Sequence, residues 1–233
     1  MSQHYIEKLK DPRWQKKRLE IFGLDNWKCL VCGSSDKKLC VHHARYRVGR
    51  EPWDHETNDL LTLCADCHAL ARDDSGSPSI ADSIRRIIGM SPLFADIRND
   101  AVSVINIRGS VILNSECADV PGKMNTILNR NHVVIWGKFR VMQMLDGFFR
   151  KHKVMMFETM EVHCLRDIFE MWYNAGDYHT GWYRERRLAD ALTTCRIPQA
   201  GLDRCRVLRE LTFYLARGYL TIGRNFYAHF KKY

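Results

Sequence analysis

The chain has 233 residues, 45% of them hydrophobic, and a formal net charge of +9, which is enough apolar material for a core in one or two domains. It contains no run of about 18 apolar residues, so no membrane span is expected, and the opening MSQHYIEKLKDPRW lacks an apolar h-region, so no secretory signal is expected and the cytoplasm is the assigned compartment. There, nine cysteines point to reduced thiols and metal rather than disulfides, while the basic balance favours an acidic partner such as nucleic acid.

The charge is uneven. Residues 91–233 carry a net +7 and residues 1–90 a net +2. A near-neutral first part joined to a basic, phosphate-binding second part fits these numbers. A plain solvated basic surface fits them too, because net charge alone names no partner.

In chain order, Asp11-Pro12 reads as the N-cap and first position of a helix. Trp14, Arg18, Leu19 and Phe22 follow over residues 12–22, and Gly23 is the expected stop. Residues 27–33, WKCLVCG, read as a knuckle turn. Residues 39–43 read as a short strand, 46–52 as a turn-rich return, and 60–72, LLTLCADCHALAR, as the start of a helix around a second cysteine pair. The polar stretch Asp73-Asp74-Ser75-Gly76-Ser77-Pro78-Ser79 marks a boundary. This gives an α+β chain with a first module over 1–75, a linker region over 76–90 and a basic, helix-rich, mixed α/β domain over 91–233.

In that second domain, Val102–Ile107 partly alternates and turns at Arg108-Gly109 into Val111–Leu113. Helical spacing connects Ile135, Phe139, Met142, Leu145 and Phe149, and likewise Phe157, Glu161, Cys164, Leu165, Ile168, Phe169 and Trp172. Leu202, Cys205, Leu208, Leu211 and Leu215 share one helical face, with Gly218 as the stop. The aromatic segment from Tyr219 to Phe230 suggests a terminal strand pair.

The strongest motif is C-x2-C-x31-C-x2-C, formed by Cys29, Cys32, Cys64 and Cys67. Each C-x-x-C turns two thiolates toward one ion, and four thiolates suit a tetrahedral, structural Zn²⁺. Such an ion would staple a module too small to stand on its core alone. Simple burial is the alternative, but two independent pairs, the first backed by Gly33, argue against it. Cys40, Cys117, Cys164, Cys195 and Cys205 read as packing residues.

Three histidines remain beside this closed site: His42 and His43, adjacent at the end of a short apolar run, and His68, directly after Cys67. Leftover imidazoles next to a filled zinc site suggest a second, catalytic metal. On a strand, His42 and His43 point to opposite faces. His55 reads as a loop residue, and His132, His152, His163, His179 and His229 show no mutual spacing that suggests a metal site.

The stretch from about residue 12 to 72 resembles the HNH endonuclease family, in its zinc-containing subgroup with two C-x-x-C pairs. The resemblance rests on Trp14, Cys29/Cys32, Leu39-x-Val41-His42-His43, Tyr46, Gly49, Pro52-Trp53 and Leu60-x-x-Leu63-Cys64-x-x-Cys67-His68. It implies a ββα-metal fold and metal-dependent hydrolysis of phosphodiester bonds, with His42 and His68 on the catalytic ion and His43 as the general base. Mg²⁺ suits an open site of this kind, and Mn²⁺ tolerates imidazole better. The family's middle Asn falls here on Asp59, with Asn58 one residue earlier. Either could orient His43, and Asp59 could equally cap a helix starting at Leu60.

Arg45, Arg47 and Arg50, then Arg184, Arg186 and Arg187 beside Trp182 and Tyr183, then Arg204, Arg206 and Arg209, are candidate grips on double-stranded DNA. Solvated helix faces carry the same pattern. The aromatics Trp136, Trp172, Tyr173, Trp182 and Tyr183 also suit docking of a protein partner. The reading is therefore a DNA endonuclease, with a non-catalytic, zinc-dependent nucleic-acid-binding module as the alternative.

Overall fold

The computed structural model describes residues 3–47, 49–71, 80–98, 101–154, 161–166, 168–169, 188–195, 197 and 203–230. Expectations placed on residues 73–79, Phe157, Trp172, Tyr173, Trp182, Tyr183, Arg184, Arg186, Arg187 and Leu202 lie outside them. The chain divides into two compact units, Met1–Pro78 with Arg85–Ser91, and Ser79–Ile84 with Pro92–Tyr233. Among the described residues no helix is long and apolar enough to cross a membrane.

The first unit begins with α1 (Gln3–Lys8) and α2 (Pro12–Leu24). The Asp11 side chain accepts from the Arg13 amide at 2.8 Å, and Pro12 opens the helix where no amide is needed. Trp14, Ile21 and Phe22, spaced by seven and eight residues, bury one face. Leu19 was expected on that face but is 58% exposed.

The helix runs past Gly23, the expected stop. Asn26 takes the left-handed position instead, at φ 53°. Its amide donates to the Gly23 carbonyl at 3.1 Å, and the Trp27 amide donates to the Phe22 carbonyl at 2.8 Å. The Trp27 and Phe22 rings meet at 5.2 Å. This paired bond with its apolar contact is the Schellman ending of a helix, with Asn in place of Gly.

β1 (Leu39–His43) pairs antiparallel with β2 (Leu60–Cys64), Leu39 opposite Cys64 and His43 opposite Leu60. The sequence reading put residues 60–64 in a helix. They form a strand buried at every position, and α3 (Ala65–Ala71) starts only after Cys64. A strand covered on both faces shows no alternation, which is why its pattern misleads. Trp14, Ile21, Phe22, Val41 and Leu60 make the local core. The buried Asp25 carboxylate accepts from the Thr62 amide at 2.8 Å, tying the end of α2 to the middle of β2.

α4 (Ile80–Gly89) occupies most of the 76–90 stretch expected as linker, and it buries Ile84, Ile87 and Ile88. Its second half belongs to the first unit. Gly89 is required there, because a Cβ at that position would sit 2.8 Å from the Ala71 Cβ of α3.

The second unit is built on a five-stranded sheet of order β5-β4-β3-β6-β7. β3 (Leu93–Arg98), β4 (Ala101–Ile105) and β5 (Val111–Asn114) form an antiparallel meander. As the sequence pattern suggests, the β4–β5 turn falls at Arg108-Gly109. The Asn106 side chain accepts from the Arg108 and Ser110 amides, and Gly109 takes φ 86°.

α5 (Val120–Arg130) leads to β6 (His132–Ile135), and α6 (Lys138–Lys151) to β7 (Glu161–Cys164), both parallel in the sheet. Ile135 and the 161–164 segment, expected in helices, are strands. β6 reads His-Val-Val-Ile, an apolar run with no period, and β7 is a short edge strand, Glu-Val-His-Cys, that only its pairing with β6 defines. Ala95, Ile97, Val104, Leu128, Val133, Leu145 and Phe149 pack one side of the sheet against α5 and α6.

α7 (Leu188–Cys195) precedes α8 (Arg204–Phe230), which covers the other side. There Arg204 Nε donates to Asp96 at 3.1 Å, and the Cys205 thiol donates to the Ser103 carbonyl at 3.1 Å. α8 runs through Gly218 to Phe230 and replaces the expected strand pair.

Asp25→Ala is expected to destabilise the first unit by about 1–3 kcal/mol, because it strands the buried Thr62 amide. Asp25→Asn, which keeps an acceptor oxygen, should cost less. Urea unfolding midpoints of the two variants check this order.

Candidate metal and catalytic site

Two short turns bring the four cysteines together. Gly33 at φ 76° lets the chain double back after Cys32. The Gly33 amide donates to the Cys29 carbonyl and the Cys29 amide to the Ser34 carbonyl, each at 2.8 Å. The Leu30 amide donates to the Thr62 carbonyl at 2.9 Å, docking this knuckle on β2. Cys64 ends β2, and Cys67 lies in the first turn of α3.

All four sulfurs lie within 4.8 Å of one another, and Cys32 Sγ is 3.8 Å from Cys64 Sγ. Zinc–sulfur bonds of about 2.3 Å in a tetrahedron require sulfur–sulfur edges of about 3.8 Å. The cluster therefore fits a zinc ion. Its protons are already unevenly held. A thiol hydrogen bond from Cys67 draws Cys29 down to about 5, burial pushes Cys32 up to about 11, and the hydrogen bond to Cys29 raises Cys67. Metal binding at such a cluster expels the thiol protons.

The histidines divide as strand alternation requires. His42 faces α3, where its ring lies 5.2 Å from that of His68, edge-on. His68 lines an open cavity of about 470 Å³ with Lys38, Cys40, Ala65 and Ala69. His42 Nε2 is 3.1 Å from the Gly89 carbonyl oxygen. A carbonyl only accepts, so Nε2 carries the proton and Nδ1 has the lone pair of the neutral ring.

His43 faces the other way. It stacks between Trp14 at 5.0 Å and Tyr46 at 5.1 Å, with His55 edge-on at 4.9 Å. Its Nε2 lies 3.2 Å from the Pro52 carbonyl oxygen, so its lone pair is on Nδ1. Burial lowers the His43 pKa, against the opposing Pro52 bond, and the His55 and His68 charges lower it further. The lowering favours the neutral ring that a proton acceptor needs.

Asp59 is held by two arginines. It is 1% exposed, and Arg47 Nε donates to it at 2.9 Å while Arg45 sits 3.5 Å away. Its own carbonyl accepts from the Ala44 amide at 2.8 Å. These bonds fix the 44–47 loop beside the histidines. No helix starts at Leu60, so Asp59 is no helix cap. The Asn58 carbonyl accepts from Ser91 Oγ at 2.6 Å. The orienting acceptor that His43 does meet is the Pro52 carbonyl, a backbone group that residue spacing cannot reveal.

Among the described residues, the arginines read as phosphate grips have intramolecular partners. Arg45 and Arg47 hold Asp59, Arg50 donates to the Asp54 carbonyl, and Arg204, Arg206 and Arg209 pair with Asp96, Asp203 and Glu210. His55, read as a loop residue, is 4% exposed and packs on His43. His132 and His163, read as scattered, are neighbours. Parallel pairing of β6 and β7 brings His163 Nε2 within 3.2 Å of His132 Nδ1. No family model matches the chain, and no curated protein or solved structure matches it.

Purified protein is expected to hold one tightly bound zinc at the cysteine cluster. Cys64→Ser should lose it and unfold the first unit, since metal binding there is folding energy. Elemental analysis and circular dichroism on the two proteins check both parts.

Proposed function

We propose that the chain is a zinc-stapled, metal-dependent endonuclease that hydrolyses phosphodiester bonds of DNA. The observation that carries this reading is the split of the adjacent pair. His42 turns to His68 at 5.2 Å, while His43 turns away and is held through Nε2 on the Pro52 carbonyl. The strand–strand–helix order of β1, β2 and α3 around the cysteine cluster agrees with the HNH resemblance.

His43 takes the proton of an attacking water on Nδ1. Its fixed Nε2–H keeps the lone pair on that atom, and stacking on Trp14 and Tyr46 keeps the ring plane in place. The chemistry needs such a base, because an anionic phosphodiester repels free hydroxide. A divalent ion held by His42 and His68 would neutralise the charge that builds on the leaving oxygen. Two imidazole donors suit Mn²⁺ better than Mg²⁺. The Gly89 carbonyl presets the His42 tautomer in the manner of an outer partner. The net +7 of residues 91–233 supplies non-specific attraction to the duplex.

One observation favours a second reading. His43 is only 5% exposed, with both ring faces covered, as in a packed core histidine. On that reading the chain is a zinc-dependent nucleic-acid-binding module without hydrolysis, or one that docks a protein partner.

Plasmid nicking with Mn²⁺ or Mg²⁺ separates the two. His43→Ala should lower the cleavage rate by about 10²–10⁴ with zinc content, folding and DNA binding intact. His68→Ala should lose cleavage through weaker ion binding, so excess Mn²⁺ should restore part of it. Wild-type cleavage by His43→Ala would remove His43 as the base. Wild-type protein that binds DNA but cuts none with either ion would favour the binding module.

A further inference from the structure

The second unit holds a set of metal-type side chains that the proposed nuclease chemistry does not use. β6 and β7 run parallel with His132 opposite Glu161 and Val134 opposite His163. Because side chains alternate along a strand, His132, Glu161 and His163 share one face of the sheet. They stand at the starts of the two strands. Val133 and Ile135 turn to the opposite face and enter the α5–α6 core.

His132 Nδ1 lies 2.8 Å from Glu161 Oε2 and 3.2 Å from His163 Nε2. The two rings are near parallel, at 24° and 5.4 Å between centroids. A single ring nitrogen thus has two close neighbours, and proton counting shows the difficulty. If Nδ1 carries the ring proton of neutral His132, the carboxylate and the His163 nitrogen compete for it. If Nδ1 is bare and accepts from His163, its lone pair faces the carboxylate oxygen across 2.8 Å. Neither neutral arrangement satisfies all three atoms. A cation does, because every one of them can donate a lone pair to it.

The geometry points to a metal site at the amino ends of β6 and β7, in which His132, Glu161 and His163 bind a divalent first-row transition ion such as Zn²⁺. Metal–nitrogen bonds of about 2.0–2.1 Å at a tetrahedral ion place two ligand nitrogens about 3.3 Å apart, close to the observed 3.2 Å. Two imidazoles and one carboxylate are a common donor set for such ions and leave coordination positions open. The three ligand atoms do not all lie within 4.8 Å of one another, as the cysteine sulfurs do. The side that must close is that of Glu161, whose side chain is 68% exposed and can change rotamer. His132, 25% exposed, gives solvent access.

The test is Co²⁺ binding by equilibrium dialysis to full-length protein carrying one zinc equivalent, which the four thiolates take, with visible absorption as a second readout. Wild type should bind one equivalent more than His163→Ala, and that equivalent should show the weak ligand-field bands of nitrogen and oxygen donors. Glu161→Gln, a change at an exposed position, should raise its Kd at least about tenfold and serves alone if His163→Ala does not fold. The extra equivalent should persist in His42→Ala/His68→Ala, which distinguishes this site from the one in the first unit. Equal Co²⁺ uptake and equal affinity in wild type, His163→Ala and Glu161→Gln would reduce the trio to a hydrogen-bonded cluster and overturn the proposal.

Discussion

The convergence of four sulfurs governs the first unit. Cys29 and Cys32 come from a loop after α2, and Cys64 and Cys67 straddle the junction of β2 and α3. The 3.8 Å approach of Cys32 to Cys64 therefore pins three parts of the chain at one point. The β1–β2 ladder spans only five residue pairs, and an isolated two-stranded pair is marginal in water. Its register decides which face each histidine sees. Without the sulfur cluster, the hairpin would rest on a small core of Trp14, Ile21, Phe22, Val41 and Leu60. The cysteine cluster and the candidate catalytic histidines are linked through this hairpin, although they share no residue.

Backbone carbonyls set the chemistry of the two central imidazoles. Gly89 and Pro52 each face an Nε2, so both rings present Nδ1 lone pairs, on opposite sides of one strand. The aromatic stack on His43 and the Arg47–Asp59 ion pair then restrict the surrounding loop. An exposed ion pair contributes little, but the Asp59 end is buried, and removal of one partner would leave a charge out of water.

What was legible in the sequence was local. The Asp11-Pro12 cap, the cysteine knuckle, the 39–43 strand and the β4–β5 turn each depend on residues within a few positions of one another. The failures involve burial on both faces or partners far along the chain. Residues 60–64 carry an apolar run with no period to read and passed for helix, and Ile135, at the end of the apolar β6, was assigned to the helix that follows. Asn26 displaced Gly23 as the helix end because a short polar side chain tolerates the left-handed region. His132 and His163, 31 residues apart, meet only through the parallel pairing of β6 with β7. Gly89 acts on His42 through a carbonyl, a group every residue carries and no pattern marks.

The close approach of Gly89 to Ala71 has a consequence for how this chain can be divided. His42 takes its backbone partner from Gly89, Arg45 donates to the Ser91 carbonyl, and Ser91 holds the Asn58 carbonyl. All three contacts come from beyond the polar stretch that the composition marks as a boundary. The first unit is thus discontinuous in sequence and is no portable cassette ending at that stretch. A recombination joint near residue 76 would graft the cysteines and histidines into a new host yet leave behind the segment that selects the His42 tautomer. A joint after Ser91 would carry it along.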